Sequence, residues 1–138
     1  IIRPTQNSIF DIWDFEGVKL LTRLRLGLSH LNKHKFHHGF LDTLSTMCSC
    51  NVEEESVSHY LLRCSNYTDI RTIFMNELNA IISNTNLLND DTFSNILLYG
   101  DKNFKYETNS KIIKLTITYI LSSGRFDIEL FSLNQIKY

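Results

Sequence analysis

The stretch CSCNVEEESVSHYLLRC, Cys48 to Cys64, holds all three cysteines of the chain and one of its five histidines. Its spacing is C-x-C-x8-H-x4-C. Three thiols and one imidazole form a recognised tetrahedral zinc set, because zinc takes soft and borderline donors over oxygen. In an extended segment residues two apart point the same way, so Cys48 and Cys50 present both sulfurs to one ion. Asn51 then suits a left-handed turn, a conformation it tolerates better than most side chains. Ser56 is placed to cap the next helix, with Glu53, Glu54 and Glu55 where the positive end of its dipole favours them. His59 rides on that helix and Cys64 lies near its end. A five-residue step turns through about 140° on an ideal α-helix, so the helix must distort before Cys64 for both donors to reach one ion. The competing reading makes Cys48 and Cys64 small buried hydrophobes and His59 a surface residue. A complete set of four donors points to structural zinc, since a catalytic zinc keeps a position open.

Upstream, Leu21, Leu24, Leu28 and Leu31 recur at three- and four-residue steps, which predicts a helix from about Gly17 to Lys33. Lys19, Arg23, His30 and His34 fall together on another face, with Leu26 an exception among them. Residues 34 to 47 carry no sustained period and read as a loop with a short helical turn near Phe36. Downstream, Ile70, Ile73, Phe74, Leu78, Ile81 and Ile82 mark an amphipathic helix, closed by the Asn-rich breaker SNTNLLNDD. Asp90 or Asp91 is the expected N-cap of a short helix through Tyr99, with Gly100 as its stop. Lys111 to Ser123 fits both periods: Ile113, Leu115, Ile117, Tyr119 and Leu121 alternate as in a strand, while Ile113, Ile117, Ile120 and Leu121 share a helical face. A lone strand has no partner in a helical chain, which favours helix. Residues 1–16 are unassigned, although Phe10, Ile12, Trp13 and Phe15 suit a core edge. The expected fold is mainly α, a small helical bundle with an inserted CCHC zinc knuckle. Residues 17–82 hold the basic helix and knuckle, and 83–138 a helical tail.

At 138 residues the chain can bury roughly two thirds of the surface its unfolded form exposes, enough for one modest core. The formal net charge of -1 gives no global attraction to polyanions or membranes, so any nucleic-acid contact must come from a local patch. Such a patch exists: Lys19, Arg23, Arg25, His30, Lys33, His34, Lys35, His37 and His38 follow one another with no acidic residue between Lys19 and His38. Arrays of Lys and Arg neutralise phosphates and release counterions; the bland alternative is a solvated helix face. Phe36, Tyr60 and Tyr67 are aromatic enough to stack on unpaired bases, or to pack around the knuckle. A catalytic metal site at His30, His34, His37 and His38 lacks the glutamate of the H-E-x-x-H arrangement. No apolar run approaches the roughly 20 residues of a membrane helix. An odd cysteine count without a secretory signal suits a reducing compartment, nuclear or cytoplasmic. The chain opens on Ile1, which suggests a piece of something longer.

Two blocks together resemble the zinc-binding region that follows the reverse transcriptase domain of non-LTR retrotransposons. The first is Arg23-Leu24-Arg25-Leu26-Gly27-Leu28-Ser29-His30-Leu31. The second is Cys48-Ser49-Cys50-Asn51 followed by Glu55-Ser56-Val57-Ser58-His59-Tyr60-Leu61-Leu62-Arg63-Cys64-Ser65-Asn66-Tyr67. The likeness covers roughly residues 17 to 82, and the Leu97–Asp101 block LLYGD is similar to tails of jockey-like elements. Asn51 stands where the family has Gly, and Ser65 where it has Pro. The resemblance implies a structural zinc on Cys48, Cys50, His59 and Cys64. It also implies contact of template RNA or target DNA with Lys19, Arg23, Arg25, Lys33 and Lys35, and packing against an upstream polymerase domain. The chain has no Tyr-Ala-Asp-Asp-type turn to hold the two magnesium ions of nucleotidyl transfer, so this segment is expected not to be an enzyme. The alternative is a structural or protein-interaction domain that packs on the polymerase and touches no nucleic acid.

Overall fold

The computed structural model describes residues 15–127; Phe10, Ile12 and Trp13 lie outside them, and Phe15 is half-exposed. Five α-helices are present among the described residues: α1 (Phe15–Leu26), α2 (Asn32–His37), α3 (Thr68–Asn79), α4 (Asp90–Tyr99) and α5 (Tyr106–Ser123). A π turn, His59–Arg63, and short 3-10 turns at Ser65–Tyr67 and Thr85–Leu87 join them. The mainly helical bundle expected from the sequence is therefore the observed class. No strand forms among the described residues; the one β feature is an isolated antiparallel bridge between Met47 and Glu54.

The ambiguous segment 111–123 is helical. It buries Ile112, Ile113, Thr116, Ile117, Tyr119 and Ile120, positions that recur at three and four and so share one side of a helix. This face makes α5 the centre of the bundle, packed on α1, α3 and α4. Leu20, Leu21 and Leu24 reach it from α1, Phe74 and Leu78 from α3, and Phe93, Ile96 and Leu97 from α4. Thr116 is completely buried because its hydroxyl donates to Leu97 O at 2.9 Å, satisfying a polar group at the α4–α5 contact.

Gly17 sets the approach of α1 to α5. A Cβ there would run into Ile117 Cγ2 and come within 3.3 Å of Leu121 Cδ1. Gly17→Ala is accordingly expected to cost about 1–3 kcal/mol in a denaturant melt, as overpacking does in cores. An unchanged midpoint would mean that the two helices do not meet there.

The first helix is shorter than its leucine spacing predicts. Gly27 takes a left-handed conformation (φ 72°); its amide donates to Leu24 O at 3.4 Å, and the Leu28 amide to Arg23 O at 2.9 Å. This paired 5→2 and 6→1 closure ends α1 at Leu26. Leu28 is consequently half-exposed while Leu31 is fully buried, and His30 and His34 lie beyond the break, not on the helix of Lys19 and Arg23. The short turn expected near Phe36 is α2. A second correction concerns α4: its N-cap is Asn89, whose side-chain oxygen accepts from the Thr92 amide at 2.8 Å, with Asp90 and Asp91 in the first turn. Asn and Asp cap equally well, so residue type alone does not choose among three adjacent ones. The stop at Gly100 (φ 77°) is as expected.

Candidate metal centre

The donor atoms of Cys48, Cys50, His59 and Cys64 all lie within 4.8 Å of one another. Cys48 Sγ is 3.6 Å from Cys64 Sγ, and Cys50 Sγ is 3.3 Å from His59 Nε2. Sulfurs at zinc's usual bond length on two corners of a tetrahedron stand about 3.8 Å apart. The donor set and its spread therefore fit one tetrahedral ion. All three cysteines are free thiols; Cys48, Cys64 and His59 are buried and Cys50 lies at the rim.

Local structure explains the convergence. The Met47–Glu54 bridge closes a loop, with the Cys48 amide donating to Glu53 O at 3.0 Å and the Glu55 amide to Thr46 O at 2.8 Å. Inside it the chain turns tightly: the Asn51 amide donates to Cys48 O at 2.9 Å, and Asn51 takes the left-handed conformation (φ 65°) its residue type allows. Cys48 and Cys50 thus meet across a turn, where the sequence reading places them on an extended segment. Ser56 caps the following helix, its hydroxyl accepting from the His59 amide at 3.1 Å.

Between His59 and Cys64 the required distortion takes a specific form. The Cys64 amide donates to His59 O at 2.8 Å, a five-residue bond that widens the helix to a π turn. One extra residue per turn returns Cys64 to the face of His59. Widening leaves the Tyr60 carbonyl without a partner in its own helix, and the buried Tyr119 hydroxyl donates to it at 2.7 Å. Tyr60 itself is fully buried, ringed edge-on by Tyr67, Tyr119 and Phe126. Tyr60 is thus a core residue and does not offer its face to bases; Tyr67 packs in the same cluster.

Electrostatics differ across the four donors. Amides of Val52 and Glu53 hydrogen-bond Cys50 and hold its thiol below the ordinary value, Val52 most strongly. Burial pushes the Cys64 thiol up to about 12. A cation among them reverses that second effect, because coordination deprotonates thiols outright.

The three glutamates of the knuckle do not form the common dipole-facing run that the sequence suggests. Each carboxylate has its own partner. Glu55 is buried, accepting from Arg125 Nε at 2.7 Å, Arg125 Nη2 at 2.8 Å and the Asn32 amide at 2.7 Å. Glu54 accepts from Thr46 Oγ1 at 2.7 Å and sits 3.5 Å from Lys33 Nζ. Glu53 accepts from Arg63 and stands 3.3 Å from His59 Nδ1. Sequence spacing carries no signal for Arg125, sixty-one residues past Cys64, as an anchor of the knuckle.

The candidate nucleic-acid residues are dispersed. Arg25 turns inward: its Nε donates to Leu98 O at 2.5 Å, and its guanidinium lies over the Tyr99 ring at 5.2 Å. Lys19 is on α1, 4.0 Å from Glu16. Lys33 faces Glu54, and Lys35 is 3.1 Å from Asp42. Burial holds His30 below the usual imidazole value, and the charges of Lys35 and Arg23 lower it further. Burial likewise holds His34 below the usual imidazole value, so both rings favour the neutral form more than a free imidazole does. His34 Nδ1 is 2.7 Å from Ser29 Oγ and His38 Nε2 is 3.0 Å from Gly27 O. Among the described residues, the three cysteines and His59 are the one group drawn together in the manner of metal ligands.

The molecule is thus a helical bundle with a Cys3His cluster able to hold a metal ion. Compared with family models, curated proteins and solved structures, the chain matches none. No helix of the described residues is long and apolar enough to cross a membrane.

Proposed function

We propose that this chain is a zinc-stabilised nucleic-acid-binding module of the kind found after the polymerase of non-LTR retrotransposons. Convergence of Cys48, Cys50, His59 and Cys64 within 4.8 Å is the observation that carries the zinc reading. Zinc fits three thiolates and an imidazole better than magnesium or calcium, which take oxygen. The four residues would hold the ion and leave no position open, so the metal supplies folding energy and no chemistry. The Arg-Leu-Arg block and the knuckle, in family order, support the retrotransposon context.

Nucleic-acid contact falls to Arg23, Lys33, Lys35 and Lys19 in this reading; Arg25 acts through the fold. The carboxylates that face Lys33 and Lys35, Glu54 and Asp42, are exposed, and surface pairs of that type contribute only about 0–1 kcal/mol, so a phosphate can displace them; Glu16, which faces Lys19, is half-buried. Phe36 and Phe40 are exposed, Phe40 with Lys35 Nζ 5.7 Å over its ring, and suit stacking on unpaired bases. A second reading, a domain that packs on the polymerase, is favoured by the inward turn of Arg25 and by the pairing of the lysines.

Titration of single-stranded RNA and of nicked duplex across a salt series separates the two. The nucleic-acid reading expects binding that weakens steeply with salt, with a shallower slope for Arg23→Ala and Lys35→Ala. Absence of salt-dependent binding at micromolar protein favours the packing domain.

A further inference from the structure

We infer that Glu53 is the positioning residue of the metal centre, fixing the His59 ring so that Nε2 faces the cysteines; this rests on the zinc reading of the cluster. The imidazole is buried, with Nε2 3.3 Å from Cys50 Sγ. Its other nitrogen, Nδ1, is also buried and has no hydrogen bond of good geometry. The group that faces it is Glu53 Oε2, at 3.3 Å. A ring nitrogen that points at a ligand site needs the opposite N–H directed at an acceptor, because that contact selects the tautomer and stops the ring from flipping. Glu53 is the carboxylate in place to do so.

Glu53 is itself held. Arg63 Nε lies 3.2 Å from both of its oxygens and Nη2 2.8 Å from Oε1. Arg63 Nη1 donates in turn to Asp90, in the first turn of α4. A continuous path of charged contacts thus runs from the α4 N-terminus through Arg63 and Glu53 to the ring. Glu54, one residue on, faces Thr46 and Lys33 and has no part in it. Adjacent glutamates therefore separate into one that faces a ligand and one that pairs at the surface.

Competition of purified protein with a chromogenic chelator for zinc, for the wild type, Glu53→Ala, Glu53→Gln and Glu54→Ala, tests this. Loss of such supporting contacts lowers metal affinity about 10–100-fold, so Glu53→Ala is expected to fall in that range. Glu53→Gln, which keeps an acceptor oxygen, falls less, and Glu54→Ala stays within about threefold of wild type, outside that range. Circular dichroism at saturating zinc should be the same for all four chains, which separates weakened binding from misfolding. Nitrogen-15 shifts of His59 in the zinc-loaded wild type should report a protonated Nδ1 and a metal-bound Nε2. Glu53→Ala with wild-type affinity, or a metal-bound Nδ1, overturns the inference while leaving zinc binding intact. A wild type that takes up no zinc overturns the metal reading itself.

Discussion

Cys64→Ala is expected to abolish high-affinity metal binding and to unfold the loop from Thr46 to Glu54 while α3, α4 and α5 persist. Structural zinc supplies about 10–16 kcal/mol of apparent binding energy in small zinc modules, and that energy is folding energy. In this chain the loop that carries Cys48 and Cys50 is closed by a single β-bridge and one turn. The apolar core around α5 includes Tyr60 and Leu61, so the π turn stays anchored and the loss is confined to the loop that carries Cys48 and Cys50. Amide hydrogen exchange reads it directly: protection should vanish between Thr46 and Glu54 and remain at Ile112, Thr116 and Ile117. If Cys64 were only a small buried hydrophobe, the same substitution would cost about 1 kcal/mol, whether or not a chelator is present. With zinc bound at the cluster, the wild type should also lose that protection in chelator, and the variant should show no further change.

Arg125→Met is expected to lower stability by about 3 kcal/mol, the lower end of the cost of removing one partner of a buried ion pair. Glu55 is 3% exposed, whereas the Arg125 side chain is 24% exposed, so water reaches one partner and softens the effect. Arg125 also donates to His30 O at 2.8 Å. It therefore joins the end of α5, the loop before α2 and the knuckle. Adding Glu55→Leu should recover part of the loss, because two apolar groups can replace a buried pair at little cost. Recovery stays incomplete, since the Asn32 amide then lacks its acceptor and an unmatched donor costs about 1–3 kcal/mol. Chemical denaturation of the four chains closes the cycle. Additive effects would show that the two side chains do not interact.

The elements of the fold that obey local rules are legible in the sequence. Ile113, Ile117 and Ile120 announce the buried face of α5; Asn51, Gly100 and Ser56 announce a turn, a stop and a cap. Each depends on residues within one or two turns of itself. The early end of α1 has its signal too, since Gly27 supplies the left-handed closure, but the leucine spacing runs straight through it and hides the break. The metal donors are readable because ligand chemistry restricts residue type so strongly. The contacts that orient and hold them are not. Tyr119 on the Tyr60 carbonyl and Arg125 on Glu55 span fifty-nine and seventy residues, and no periodicity encodes such pairings. Basic residues show the same limit from the other side: Arg23 and Arg25 look equivalent in sequence, yet the charge of Arg23 acts on His30 while Arg25 is pinned to α4.

Native mass spectrometry of the wild-type chain, purified without added metal and with Cys50→Ser beside it, probes the metal centre without any assumption about nucleic acid. A structural zinc on the four donors predicts a mass shift of one zinc ion per wild-type chain, absent from Cys50→Ser. A wild type that is metal-free and yet keeps full amide protection from Cys48 to Glu54 would contradict it.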